Sequence, residues 1–213
     1  RSMMLEVHVS PYSPRIDEQF TAATPYADAF GTESLLLMGA HLDYQVFQAF
    51  GTLGVGMGLR YGSVKGSGIQ ADGSSSSDET GLHVMPATLS LTYRWDWPSV
   101  RFGLPLVPYG KGGLTYALWW VTNGRGEVAN AYDLDGEGRV AMGGTLGWHG
   151  GGGIQILLDW VAPGMAVVFE DESGVNNSFL FAEYMVQQIN DFGSAESMEL
   201  SDELLSFGLM FEF

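Results

Sequence analysis

The chain contains no cysteine, which excludes disulfides and thiolate metal sites and suits a bacterial envelope protein without requiring one. It is also poor in positive charge: nine Lys and Arg stand against twenty-five Asp and Glu, a formal net charge of -16. Binding to a phosphate backbone needs a basic face, so DNA and RNA are excluded as partners. Long hydrophobic runs are missing as well. No apolar stretch in the sequence approaches the ~20 residues of a transmembrane helix, so this chain can cross a bilayer only as a closed barrel. The opening residues, RSMMLEVHVS, hold no apolar segment of the signal-peptide kind. They read as a mature or engineered start and leave secretion open.

What the sequence has in excess is glycine, 30 residues, about twice the usual share. The apolar residues around those glycines recur every second position. Ala40 to Val46 alternates apolar and polar, Leu53 to Gly62 alternates large apolar residues with Gly or Arg, and Ala87 to Trp95 alternates most cleanly. A period of two is that of a strand and is incompatible with a helix. Eight strands are predicted, at 4–12, 34–47, 50–63, 82–96, 105–121, 140–158, 177–189 and 201–213, within a single domain over 1–213, with a short helix near 162–172. Long connectors (13–33, 64–81, 122–139) alternate with short ones (48–49, 97–104), as in transmembrane barrels; 159–176, on the short side, breaks the rule and holds the predicted helix. An even strand count puts both termini on one side, the periplasmic side of such a barrel.

The choice between a soluble and a transmembrane barrel turns on which face is apolar. One face carries Leu, Val, Met, Tyr, Trp and Phe. The other carries Gly, Thr, Ser and scattered ionisable groups: Glu6, His8, His41, Asp43, Arg60, Arg94, Lys111, His149, Glu183 and Glu212. Gly54, Gly56 and Gly58, and likewise Gly147, Gly151 and Gly153, would only cost entropy on an open solvent face. In the narrow lumen of an eight-stranded barrel they make room for long side chains opposite. Aromatics at strand ends (Tyr44, Phe47, Phe50, Tyr93, Trp95, Trp97, Trp119, Trp120, Trp160) are those expected of interfacial girdles. The predicted class is therefore an all-β, eight-stranded, antiparallel up-and-down transmembrane barrel.

The last residues, SFGLMFEF, resemble the C-terminal signal that the barrel-assembly machinery reads in bacterial outer-membrane proteins. Ser206 takes its polar position, Gly208 the glycine, and Phe211 and Phe213 the third-last and last positions. VPYGKGGLTYALWW (107–120) resembles a strand of small OmpX- and OmpW-like barrels, with Lys111 where that strand usually has a small residue. LEVHVSPYSPRIDEQF, TPYADAFG, GWHGGGGIQILLDW and FAEYM together resemble a small outer-membrane barrel family known mainly from myxobacteria. These resemblances, with the broader one to OmpA-like barrels, imply a Gram-negative outer membrane and the assembly machinery as a partner during biogenesis.

Strand parity sends Arg60, Arg94 and Lys111 inward with Glu6, Asp43, Glu183 and Glu212. Charges in a confined space must be paired, so a lumen network that plugs the barrel is expected, with a narrow ion pathway as the alternative. His8, His41 and His149 point inward too. Without metal-ligand spacing they read as hydrogen-bonded lumen histidines, and no cofactor is expected. The His8-Val9-Ser10 stretch looks superficially like the His-x-Ser of barrel lipid A deacylases, but it lies on the first strand, and acyl transfer needs Ser and His within hydrogen-bond reach. The outer connectors 13–33, 64–81, 122–139 and 190–203 hold sixteen Asp and Glu against four Arg and Lys. Such loops can recruit divalent cations that bridge to lipopolysaccharide phosphates. AYDLDGEGR (131–139) clusters Asp133, Asp135 and Glu137 like a weak Ca²⁺ loop, short of the full ligand pattern. GSSSSDET reads as a flexible tip. The expected role is a non-enzymatic scaffold displaying acidic loops. A small-solute channel is the alternative, followed by a lipid-modifying enzyme and a soluble ligand-binding barrel.

Overall fold

The computed structural model describes residues 3–31, 34–69, 75–132, 138–158, 174–194 and 197–213. Eight antiparallel strands close into a barrel: β1 (Met3–Tyr12), β2 (Leu35–Gln48), β3 (Thr52–Ile69), β4 (Ser75–Arg94), β5 (Leu106–Thr122), β8 (Met142–Leu157), β9 (Asn177–Ile189) and β10 (Asp202–Glu212). Around the ring the order is β1-β10-β9-β8-β5-β4-β3-β2. The up-and-down topology follows the predicted strands, whose ends fall mostly within one or two residues of the observed ones. Both chain ends lie at the same mouth, where the Phe213 amide donates to the Met3 carbonyl at 2.9 Å. The opposite mouth, where β1 joins β2, β3 joins β4, β5 joins β8 and β9 joins β10, is called here the loop end.

Parity sorts the side chains as the alternation predicts. Along β4, Ala87, Leu89, Leu91 and Tyr93 face outward while Thr88, Ser90, Thr92 and Arg94 are buried inside. Val7, Leu42, Met57, Leu59, Leu114, Ile154, Leu205 and Leu209 continue the exterior belt around the ring. A continuous belt of this kind far exceeds the apolar patches that water-soluble monomers expose. It is the surface that hydrocarbon covers, and the soluble alternative is excluded by it.

The connectors depart from expectation in four places. Residues 64–69 and 75–81 are strand, because β3 and β4 continue past the barrel as a paired arm, Lys65 opposite Gly81 and Ser67 opposite Glu79. Most of GSSSSDET therefore belongs to β4, with 70–74 outside the described residues. The 122–139 connector holds a small hairpin of β6 (Asn130–Tyr132) and β7 (Gly138–Val140). Two short helices, α1 (Pro25–Phe30) and α2 (Trp97–Phe102), occupy connectors read as irregular, each with Pro in its first turn, where the missing N–H costs nothing. Gly66 lets α1 lean on the β3–β4 arm: a Cβ there would strike the Ala29 carbonyl. The helix expected near 162–172 and the girdle residue Trp160 lie outside the described residues. Trp119, expected in a girdle, points into the barrel and packs on its apolar cluster.

The lumen is not polar throughout. Its loop-end half is filled by Tyr12, Leu35, Leu37, Leu82, Val84, Met185, Ile189 and Leu204, all buried, with Ile16, Tyr26 and Leu200 closing over them from the loops. The cause is visible in the sequence as lost alternation: in Leu35-Leu36-Leu37-Met38 the first and third residues face in and the others face lipid. A stretch that is apolar on both faces serves two apolar environments at once.

Candidate functional site

Below the apolar plug the lumen holds its charged groups, interleaved with a second buried apolar cluster of Met4, Val107, Tyr109, Phe179, Phe181 and Met210, and its three cations act as cross-braces. Lys111 on β5 reaches Glu6 on β1, four places round the eight-strand ring and so on the opposite wall, with Nζ 2.6 Å from Oε2. Glu183 on β9 stands 3.7 Å from the same ammonium, and the Tyr109 ring lies 5.8 Å from it. Arg94 on β4 likewise faces Glu212 on β10, four places away, at 3.9 Å. Its Nε donates to Gln155 Oε1 at 2.8 Å, and its guanidinium sits over the Phe179 ring at 5.1 Å. Glu212 also accepts from Asn177 and Gln45, at 3.0 and 3.3 Å. Arg60 on β3 points across to Met185 on β9, its Nη2 3.7 Å from the sulfur, while its Nε donates to His8 Nε2 at 2.9 Å.

The seven residues expected to form one network thus separate into an ion triad (Lys111, Glu6, Glu183), a second pair nearer the chain ends (Arg94, Glu212), and two residues apart. Asp43 accepts from Thr92 at 2.9 Å and lies 3.3 Å from His41 Nε2. Among the described residues no carboxylate lies within ion-pair distance of Arg60; its partners are an imidazole and a thioether. Parity gave the face each group occupies but not its depth, and depth decides who pairs.

The β3 glycines provide the floor on which His41 and Asp43 rest. A Cβ on Gly56 would collide with the Asp43 carboxylate and come within 2.6 Å of His41 Nε2, and one on Gly58 would meet Thr88 Oγ1 at 2.7 Å. Gly151 and Gly153 on β8 have a different reason: a Cβ there would strike the backbone of β9 at Tyr184 and Ala182. There the glycines permit close strand approach, not room for side chains.

His149 is held between Ser90 Oγ (2.9 Å) and Thr115 Oγ1 (2.8 Å). The His8 Nε2 that a Ser–His pair would need is occupied by Arg60, and the buried Ser10 hydroxyl makes no hydrogen bond among the described residues. Among the described residues no group of three His, Asp or Glu converges as a metal site. Asp133, Asp135 and Glu137 lie outside the described residues. Ser206, Gly208 and Phe211 lie on β10, which zips onto β1, and Phe213 follows it by one residue; Ser206 is buried toward the lumen and Phe213 is exposed.

Several acidic loop residues are tied into structure. Asp17 accepts from the Tyr26 and Ala27 amides at 2.7 and 3.0 Å, fastening the start of α1. Asp191 accepts from the Leu146 amide, and Asp202 from that of Ser13. Glu203 takes bonds from Arg15 at 3.2 Å and Tyr184 at 2.5 Å. Gln19 bonds both Ser197 O and the Glu199 amide, joining the first loop to the last. Asp17→Ala should cost about 1 kcal/mol of local order. Tyr26 and Ala27 amides should lose hydrogen-exchange protection, with the melting of the barrel unchanged.

No protein-family model matches the sequence, and no curated protein matches it, so the myxobacterial resemblance gains no support. Solved structures do match. OprG, an outer-membrane protein of Pseudomonas aeruginosa, is 12% identical, with 100% of this chain and 95% of that one covered and a TM-score of 0.56. Neisserial surface protein A is 14% identical over 99% of this chain and 96% of that one, TM-score 0.48. Ail, the attachment invasion locus protein of Yersinia pestis, in complex with the heparin analogue sucrose octasulfate, is 10% identical over 100% and 97%, TM-score 0.45. The likeness to OprG agrees with the fold reached from parity: a small, closed, antiparallel transmembrane β-barrel.

Proposed function

We propose that the chain is a non-enzymatic barrel of a Gram-negative outer membrane, a scaffold whose lumen is closed and whose loops do the work. The observation that carries this is the double filling of the lumen. Leu37, Val84, Ile189 and Leu204 have 0% exposure inside the wall, and beneath them three cations brace opposite strands. Eight strands leave an interior that side chains can just fill, and a dry apolar plug offers an ion no solvation. On this reading both termini are periplasmic, the assembly machinery reads the β10 edge, and the loop end faces outward. Its exposed carboxylates, Glu18, Asp28, Glu79 and Glu127 among them, face a lipopolysaccharide surface whose phosphates bridge through divalent cations. The absence of a Ser10–His8 contact speaks against acyl transfer.

The test is conductance. The purified chain, inserted into planar bilayers in concentrated salt, should give no stepwise current. Steady unit conductance would replace the scaffold reading with the small-solute channel.

A further inference from the structure

The lipid-facing wall carries a second feature that the lumen does not explain. Near the loop end, the outward side chains of Tyr61 on β3, His83 on β4 and Trp120 on β5 lie side by side. His83 and Trp120 are direct cross-strand partners, with ring centroids 5.1 Å apart and planes 3° apart. Tyr61 is 6.1 Å from each, inclined by 23° and 25°. Three nearly parallel rings spaced so evenly cannot form a column, whose outer members would lie ~10 Å apart at ordinary stacking separations. The Tyr61 hydroxyl and His83 Nδ1 are 2.7 Å apart, an edge-to-edge contact, and His83 Nε2 is fixed by Thr122 Oγ1 at 3.2 Å. His83 and Trp120 overlap as an offset stack, as parallel rings this close must, and Tyr61 meets the His83 edge; together the three make one aromatic platform.

Beside the platform is a cavity of about 290 Å³, bordered by Lys65, Glu79, Thr80 and Asn123. Its chemistry has two parts: an apolar π surface on one side and donors and acceptors of both charge signs around it. An acyl chain would leave the polar groups unused, and a lone phosphate would leave the rings unused. A pyranose ring uses both, with its C–H face on the aromatic platform and its hydroxyls toward the amide, carboxylate and ammonium.

The height of the site identifies the source of the sugar. On the chain-end side the same wall continues as lipid-facing Leu59, Leu89 and Leu118. On the other side it becomes the β3–β4 arm, with the exposed pair Lys65 and Glu79 at 3.8 Å. The platform therefore sits where hydrocarbon gives way to head groups. We propose that it is a subsite for a hexopyranose ring in the head group of a surrounding outer-leaflet glycolipid. The location of the glycolipid rests on the outer-membrane reading above; the ring chemistry does not.

The test uses the full chain, folded in detergent micelles, with two probes: intact lipopolysaccharide, and its core oligosaccharide freed of lipid. Both should bind saturably, the intact lipid more tightly. Trp120→Ala should weaken each by about tenfold, the scale of a lost ring contact, and Trp120→Phe should restore most of the loss. Trp148→Ala, which removes another exposed indole level with Leu114 and bonded to Gln188, should leave both affinities unchanged. If Trp120→Ala does not fold, Tyr61→Leu keeps the lipid-facing bulk and should still weaken oligosaccharide binding severalfold. No saturable binding of oligosaccharide, or binding indifferent to the platform variants, overturns the subsite. Lipid binding that ignores Trp120→Ala would mean acyl-chain contact and overturns it too. Oligosaccharide binding as tight as the intact lipid would keep the subsite but overturn the glycolipid as its source. A conducting barrel would end the scaffold reading and leave these affinities standing, so the two failures are distinguishable.

Discussion

Lys111→Met should destabilise the barrel by about 3–5 kcal/mol, read as a lower midpoint of urea unfolding from lipid vesicles. Methionine keeps the unbranched stem, one atom shorter, and removes the ammonium with its charge and donors. Glu6 and Glu183, both buried and both facing the same ammonium, would then confront each other with no cation between them. The cost comes from stranded charge, so removing all three charges should undo most of it: the triple variant Lys111→Met, Glu6→Gln, Glu183→Gln should unfold near the wild-type midpoint. The exposed pair Lys65–Glu79 supplies the contrast. Lys65→Met should change stability by less than about 1 kcal/mol, because water screens that pair. A Lys111→Met loss as small as the Lys65→Met one would mean that water reaches the triad and that the lumen is not closed around it.

Gly208→Val should stop the barrel from closing. Gly208 pairs with His8 across the seam where β10 meets β1. A Cβ at Gly208 would strike the Val7 carbonyl and come within 2.8 Å of the His8 Cβ. The clash is with the β1 backbone across the seam, Val7 O and His8 Cα, so a rotamer change cannot relieve it. On gels run without boiling, the wild type should migrate faster than its boiled form, as a compact detergent-resistant barrel. Gly208→Val should lose that band, and Gly208→Ala should weaken it. Phe207→Leu, one residue away but facing lipid, should keep it. A Gly208→Val barrel with a normal heat shift would show that the seam can open without cost.

The wall of this protein was legible in the sequence because lipid outside and packed polar groups inside impose opposite demands on neighbouring residues. Ala87 to Trp95 records that conflict at each step, and its strand was placed to within a residue or two at its barrel end. Where the two demands coincide the record fades. Leu35 to Met38 faces lipid on one side and the apolar plug on the other, so nothing alternates and the plug went unread. Residues 65–69 and 75–80 lie beyond the barrel, where strand pairing continues without an apolar face to mark it. The ion triad was legible only by composition. Glu6 and Lys111 stand 105 positions apart and meet because the stagger of the barrel sets them at one depth, which a single strand's parity does not encode. The ring platform was half visible: Trp120 was counted as a girdle residue, but Tyr61 and His83 join it only once β3, β4 and β5 are in register.

The irregularity in β2 bears on how such a chain can change length over time. Between Gln45 and Phe47 the pairing with β3 slips by one residue, and Val46 and Phe47 both face outward as a result. A single-residue insertion within a barrel strand would exchange its lipid and lumen faces from that point on, sending Leu and Val inward and Asp or Arg into hydrocarbon. A bulge absorbs the extra residue locally, and this one sits next to a turn, where only Gln48 follows it in the strand. Insertions and deletions in relatives of this chain should therefore fall in the connectors, at the rim, or inside strands only in steps of two.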